Sequence, residues 1–261
     1  MPLITRRYAE HIPRDPSSPW YGEHLARYRE AASRAADALV LDIACGPGLG
    51  FADLLGTARF IAGADLDREA LTEAMGSVVP GRVGLSVADG CALPYRTRSF
   101  EVIACFETVE HVTADTVMVK ELARVLADGG IALISTPNAQ VTKPVDGTPR
   151  NPFHVREYRR EELRHLLETH FDKVSLFGQR ATGAGSAFWQ RPPGVSGLAR
   201  SLALKASLRV PRPLVRGLER VLRRPLFPGP GGFEFTSESI DRCHALLAIC
   251  RQPRREASGG S

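Results

Sequence analysis

The chain has 261 residues, 43% of them hydrophobic and 24% charged, with a formal net charge of +5. That length and balance suit one globular domain of α/β size. No apolar run approaches the ~18 residues of a membrane span, and the N-terminus has no apolar segment of signal-peptide length.

The five cysteines, at 45, 91, 105, 243 and 250, are scattered without a C-x-x-C pair. They read as reduced thiols, which points to a cytoplasmic protein. The positive charge is local. Residues 191–224 carry nine basic side chains against Glu219 alone, a balance of +8 within the +5 total, so the remainder nets −3. An acidic body argues against nucleic acid as a partner.

In chain order, residues 1–20 are polar and proline-containing and read as an arm. Residues 21–38 read as an amphipathic helix, with Leu25, Tyr28, Ala32 and Ala36 at helical spacing. "LVLDIA" is a buried strand, 39–43, followed by a helix near 50–56. "FIAGAD", ending at Asp65, is a second strand, and "DREALTEAMG" its helix. "RVGLSVAD", 82–89, and "FEVIAC", 100–105, are the third and fourth strands. A helix over 115–127 leads through Gly129 and Gly130 to the fifth, "IALIST". A helix over 159–170 presents Leu163, Leu166 and Leu167 on one face. "KVSLFGQ" and "HALLAICR" are the sixth and seventh strands. Alternating strands and helices predict a mostly parallel sheet covered on both faces.

The expected organisation is a single domain. It comprises an N-terminal lid and helix (1–38), a core (39–179), an insertion (180–236), a final strand region (237–251) and a tail (252–261). Pro211 and Pro213 separate two helices within the insertion.

"VLDIACGPGLG" stands at a strand-to-helix junction, where Gly46, Gly48 and Gly50 let a ligand approach the backbone. The spacing G-x-G-x-G differs from the G-x-G-x-x-G of dinucleotide folds. Asp42, four residues before Gly46, would repel a pyrophosphate but attract an ammonium group. Asp65 closes the second strand, where a carboxylate can take both ribose hydroxyls. Asp89 closes the third, where it can accept from an adenine amine. Each acid alone is also a common turn or cap residue. Ligands of open α/β sheets sit at this strand edge.

These residues, with "IAGADLDREAL", "VADGCALPYRTRSFEVIACFETVEHV" and "ELARVLADGGIALISTPN", resemble the class I S-adenosylmethionine (SAM)-dependent methyltransferases over about 40–180. The resemblance implies a Rossmann-like seven-stranded sheet whose last strand is antiparallel, with a helical lid insertion between the sixth and seventh strands. It assigns Asp42, Gly46 and Gly48 to the methionine part of SAM, Asp65 to the ribose, and Asp89 with the Gly90 backbone to the adenine.

"FETVEHV" follows the fourth strand. If 107–111 forms a helical turn, Glu107, Glu110 and His111 share one face. Three readings stay open: a metal site, a histidine acting as general base, or structural roles. The E-x-x-E-H pattern resembles the metal motif of small-RNA 2′-O-methyltransferases and ubiquinone-pathway O-methyltransferases. In the RNA enzymes a further histidine follows the T-P-N segment, and His154 of "NPFHVREY" occupies that place. The resemblance would make Glu107, Glu110, His111 and His154 the metal set, with His111, Glu110 and His154 the catalytic groups. Such a mixed set suits Mn, Fe, Co or Zn better than Mg alone.

"EHLARYR", "STPN" and "NPFHVREY…LFGQ" together resemble a bacterial group associated with methylating sugars. The expected acceptor is a sugar or glycosylated small molecule, with RNA methylation or a non-catalytic SAM-binding scaffold as rivals. Arg27 and Tyr28 are expected over the cofactor, with Tyr28 equally readable as a core contact. The insertion can close the acceptor pocket. Its arginines could meet a phosphorylated acceptor, lie against anionic lipid as a peripheral membrane contact, pair two subunits of a homodimer, or simply face water.

Overall fold

The computed structural model describes residues 20–182 and 227–254 throughout, with Asp15, Pro16, Ser18, Pro213, Leu214, Gly217, Arg220 and Val221 beside them. Most of the 180–236 insertion, and with it the arginine-rich stretch, lies outside the described residues. Among the described residues no helix is long and apolar enough to cross a membrane.

The chain begins with α1 (Tyr21–Ala32), then β1 (Leu39–Ile43), α2 (Phe51–Leu55), β2 (Phe60–Asp65), α3 (Arg68–Ala74), β3 (Val83–Val87) and β4 (Phe100–Phe106). It continues with α4 (Asp115–Val125), β5 (Leu126–Pro137), α5 (Ala139–Thr142), α6 (Arg160–Glu168), β6 (Phe171–Ala181), β7 (Phe233–Thr236) and β8 (Ala245–Pro253). Among the described residues one sheet holds all eight strands, in the order β3-β2-β1-β4-β5-β8-β6-β7.

The first five strands are parallel neighbours, while β8 pairs antiparallel with both β5 and β6. The expected antiparallel last strand is therefore present. The expected count of seven is corrected to eight. The added strand is Phe233–Thr236, antiparallel to β6 at the sheet edge. It is four residues long and sits where the sequence reading still ran the insertion. Its one fully buried side chain, Phe233, gives too little alternation to mark a strand.

Helix α1 is also shorter than expected. It ends at Ala32, and the chain turns at Asp37, whose φ is +54°, before entering β1. At the other end of the parallel half, β5 begins five residues early, at Leu126. Its pairing with β4 jumps from Phe100↔Leu126 to Val102↔Ile131. The Gly129–Gly130 segment is thus an irregular part of the strand rather than a turn before it.

Both faces of the sheet are buried, which explains the continuous apolar runs of the central strands. Along β4, Ile103 and Cys105 join the core under α4 and α6. Val102 and Ala104 face the opposite core, under α1 and α2.

Helix α1 sits on the second face with Tyr28 pressed against the turn that leads into α2. Its ring packs edge-to-face on Phe106, with centroids 5.1 Å apart. A Cβ on Gly50 would fall 2.0 Å from Tyr28 Cδ1, so the third glycine of the loop is there for close approach of this ring. Gly50→Ala is expected to destabilise the protein by about 1–3 kcal/mol through overpacking. Thermal unfolding of Gly50→Ala, Tyr28→Ala and the double variant checks this. In the double variant the two effects should add to less than their sum, because removing the ring removes the clash.

Candidate active site

The C-terminal ends of β1, β2 and β3 bring the three predicted aspartates to one edge of the sheet, but into three different environments. Asp42, on β1, is fully buried. Its Oδ1 accepts from the Tyr28 hydroxyl at 3.2 Å, and its Oδ2 has no hydrogen-bond partner. Burial pushes the Asp42 carboxyl well above the usual carboxylate range. The Tyr28 hydrogen bond offsets part of that rise, and the charge of Asp65 adds to it.

Asp65, at the tip of β2, is spoken for by backbone. Oδ2 accepts from Gly46 N and Oδ1 from Asp67 N, each at 2.8 Å. Asp67 in turn caps α3, accepting from Glu69 N at 2.8 Å and Ala70 N at 3.3 Å. Asp89 is exposed and accepts from Cys91 N at 2.8 Å, as a turn residue does. Gly90 follows it beside the Met118 side chain.

Between β1 and α2 the backbone passes through left-handed conformations at Ala44, Gly46 and Gly48, with φ of +54°, +53° and +80°. A side chain on Gly48 would meet the Phe51 ring at 2.7 Å. The glycines therefore serve the turn itself, apart from any ligand. Leu66, the residue after Asp65, is left 41% exposed. It is an apolar surface beside the proposed ribose carboxylate, and the sequence reading did not single it out.

After β4 the chain does not form the expected helical turn over 107–111. Glu107 has φ of +50°, and only Val109–His111 makes a short 3-10 turn. Glu107 therefore does not share a helical face with Glu110 and His111. Its Oε1 accepts from Ser135 Oγ at 2.8 Å and lies 3.3 Å from Arg27 Nη1. Glu110 is fully buried. Oε2 accepts from the Thr136 hydroxyl at 2.9 Å, while Oε1 has no hydrogen-bond partner. Burial, then the nearby Glu107 charge, raises the Glu110 carboxyl well above its ordinary range. Glu107 is raised as well, because burial outweighs the attraction of Arg27.

His111 and His154 meet edge-to-face with ring centroids 4.9 Å apart. His111 Nδ1 contacts the Phe153 carbonyl at 3.0 Å. His154 Nδ1 contacts Glu157 Oε1 at 2.8 Å, and its Nε2 lies 2.9 Å from Asn151 Nδ2. The segment carrying His154 is fastened to the other cluster by Val155 N and Arg156 N, which both donate to Glu110 O, at 2.8 and 3.2 Å. Ligand atoms of Glu110, His111 and His154 lie within 4.8 Å of one another. The structure thus gathers three of the four residues of the expected metal set, and Glu107 is directed at Arg27 instead.

Arg27 is fully buried and does not lie in the glycine loop. It pairs with Glu23, donates from Nε to Gln179 Oε1 at 2.6 Å, and approaches Glu107. His244 Nε2 stands 3.1 Å from Glu23 Oε1, and Gln179 Nε2 donates to Glu23 O at 2.9 Å. Tyr28 is the buried core contact that one of its two readings expected, and it also donates to Asp42.

Sequence reasoning missed Glu157 and Thr142. Glu157 is buried, and its other oxygen accepts from the Thr142 hydroxyl. Burial raises its carboxyl, but the hydrogen bonds from His154 and Thr142 outweigh that and leave it below its ordinary range. The available signal was the spacing H-x-x-E in "HVRE".

Residues 41–134 match a family described as "Methyltransferase domain", covering β1 to β5. A probable S-adenosylmethionine-dependent methyltransferase of Mycolicibacterium smegmatis is 39% identical over 151 residues, covering 58% of this chain and 58% of that protein. One of Mycobacterium tuberculosis is 36% identical over 161 residues, covering 61% and 58%. The methyltransferase GfsG of Streptomyces halstedii is 32% identical over 135 residues, covering 46% and 49%. The chain therefore spans less than two thirds of the length of these curated relatives.

Among solved structures, the [4+2]-cyclase SpnF superposes with a TM-score of 0.58 at 16% identity, covering 88% of this chain and 81% of that one. A SAM-dependent methyltransferase from Archaeoglobus fulgidus gives 0.54 at 16%, covering 90% and 95%. These two likenesses concern the fold alone. Residues 41–134 thus match a methyltransferase domain, and the sequence relatives are described as SAM-dependent methyltransferases.

The buried Asp42 yields a pH prediction. Its folded pKa is raised above the unfolded value of about 3.9, so ionising it opposes folding as pH climbs past that value. Asp42→Asn removes this penalty. Without ligand, the variant's melting temperature should exceed that of the parent by a margin that widens from pH 5 to pH 8. Its affinity for S-adenosylhomocysteine should fall about tenfold or more, as expected for loss of a charge-assisted contact. Differential scanning calorimetry and isothermal titration calorimetry measure the two effects.

Proposed function

We propose that the protein is a SAM-dependent O-methyltransferase that modifies a hydroxyl of a sugar or glycosylated small molecule. The observation that carries this reading is the cluster of two imidazoles and a buried carboxylate at the tip of β4, next to β1 and its glycine loop. The sugar assignment rests on the resemblance of "EHLARYR", "STPN" and "NPFHVREY" to the sugar-methylating group.

The residues present fit SAM. Asp42 Oδ2 is a buried oxygen in need of a donor, which the ammonium of the methionine moiety would supply. The left-handed glycine backbone opens the turn for the same moiety. Asp65, the residue read as the ribose carboxylate, is fixed by two N–H groups. When bound, SAM supplies a methyl group on a sulfonium that is already a good leaving group.

The protein's task is then to orient the acceptor and take its proton. His154 carries out the second part. Its Nδ1 faces the Glu157 carboxylate and its Nε2 faces an amide N–H donor, so the lone pair is on Nε2. That nitrogen holds the Asn151 amide N–H in this structure, and it would take the hydroxyl proton once the acceptor displaces that amide.

The three-residue set also fits a divalent ion of the Mn, Fe, Co or Zn kind. Glu110 Oε1 lacks a partner, and each ring has its Nδ1 engaged elsewhere, which leaves Nε2 as the ligating atom; on His154 an ion would have to displace the Asn151 amide from it. Glu110, His111 and His154 would hold such an ion, and it would lower the pKa of the acceptor hydroxyl. Glu107, committed to Arg27, would not be a ligand.

The SpnF structure is a reminder that this fold carries more than one chemistry, so the assay must detect transfer itself. The test uses SAM labelled in the methyl group with nucleotide sugars, glycosylated small molecules and a small RNA. Label in an O-methyl sugar supports the reading, and label in RNA alone would replace the acceptor. SAM bound without transfer to any of them would favour a scaffold. With the acceptor in hand, His154→Ala should lower kcat/KM by about 10²–10⁴-fold while SAM affinity stays within about twofold. In calorimetric titration with Zn, His154→Ala should weaken binding by about tenfold or more and Glu107→Gln should leave it unchanged. Comparable losses in both variants would restore the four-residue set.

A further inference from the structure

We propose that Glu157 is a positioning residue that fixes the tautomer and the aim of His154. The proposal deepens the function proposed above and rests on it for its catalytic consequence, but its structural content stands apart.

The contacts around the ring agree with one another. Glu157 Oε1 stands 2.8 Å from His154 Nδ1, and a carboxylate there can only accept, so the proton belongs on Nδ1. On the other side, Asn151 Nδ2 is 2.9 Å from Nε2. The orientation of that amide is set by its own oxygen, which accepts from Phe153 N at 3.1 Å. The nitrogen therefore faces the imidazole and donates, which leaves Nε2 without a proton. Two neighbours on opposite sides of the ring select the same form.

Glu157 is itself held. It is only 7% exposed, and its second oxygen takes the Thr142 hydroxyl of α5. The backbone around it is anchored too, since Ala139 N donates to Tyr158 O at 2.9 Å. A carboxylate with both oxygens engaged has little freedom to swing, and neither has the ring it grips. The consequence is that the His154 ring is held in one orientation beside Glu110 and His111, with its Nε2 lone pair on the Asn151 amide until an acceptor or an ion takes it.

The arrangement serves either chemistry open to the cluster. A general base needs its lone pair at the acceptor hydroxyl. A ligating imidazole needs the same lone pair at the ion, with the opposite N–H given to a carboxylate. The Glu157 carboxylate accepts at Nδ1 of His154, whereas His111 gives its Nδ1 to the Phe153 carbonyl.

The experiment is long-range ¹H–¹⁵N NMR of the histidine rings in the full ¹⁵N-labelled chain, with His154→Ala used to assign the signal. The expected parent spectrum shows His154 protonated at Nδ1 and bare at Nε2. In Glu157→Ala the signal should move to the Nε2–H form or to a mixture. In Glu157→Gln, whose amide oxygen still accepts, the parent tautomer should persist. Thr142→Val frees Glu157 without removing it and should shift the population part of the way, which keeps the test available should Glu157→Ala fail to fold.

With the labelled acceptor assay, Glu157→Ala should lower kcat by about tenfold or more while the KM for SAM is unchanged. An Nε2–H form in the parent, or an unmoved signal in Glu157→Ala, overturns the proposal. So does a moved signal with full kcat. Binding of S-adenosylhomocysteine is measured on the same samples. A parent that does not bind it sinks the methyltransferase reading, and the NMR result then decides the role of Glu157 alone.

Discussion

The Asp65 carboxylate stands between two backbone N–H groups, Gly46 on one side and Asp67 on the other. The first belongs to the turn after β1 and the second to the turn after β2. One side chain thus ties the tips of two parallel strands together and sets the path of the glycine loop. Cys45 N reinforces the link by donating to Ala64 O at 3.2 Å. The loop makes its left-handed turns at Ala44, Gly46 and Gly48, and it can hold them because its start is pinned to β2. The edge at which a nucleoside would lie is therefore organised before any ligand arrives. Asp42, a few residues upstream, then sits fully buried with one oxygen unmatched, which is a local instability that a cationic group would relieve.

A second set of buried charges governs the other half of the site. Arg27 reaches from α1 to Glu107 at the tip of β4 and to Gln179 on β6, while Glu23 links it to His244 just ahead of β8. This network places the helix over the strand ends and gives Glu107 a cationic partner, while Glu110 lies with the two histidines. Two carboxylates three positions apart thus meet different partners, because the backbone is left-handed at Glu107.

Much of this was legible in the sequence because it depends on local pattern. Apolar runs alternating with amphipathic ones gave the parallel half of the sheet. The glycine turn and the aspartates at strand tips gave the edge where a ligand would sit. What escaped depends on distant contacts or unusual backbone. Spacing arithmetic placed Glu107 on a helical face with Glu110 and His111, but that arithmetic presumes a helix, and φ of +50° at Glu107 ends the presumption. The pairing of Arg27 with Glu107 joins residues 80 apart, and no periodicity reveals it. β7 was too short to announce itself. Glu157 lay within a quoted segment, yet a carboxylate three residues after a histidine in a loop has many ordinary explanations.

The place of β8 has a bearing on biosynthesis. This strand, Ala245–Pro253, lies between β5 and β6 and bonds to both along most of its length. While the chain is being made, β3, β2, β1, β4 and β5 can assemble in order, and β6 with β7 can close as a separate ribbon. Neither piece can reach the other until the last strand emerges to be threaded between them. Until then two hydrogen-bonding edges stand open in the interior of the future sheet, where they can capture a strand of another nascent chain. Ribosome stalling or premature termination ahead of Ala245 would thus release a sticky half-sheet rather than a slightly shortened fold.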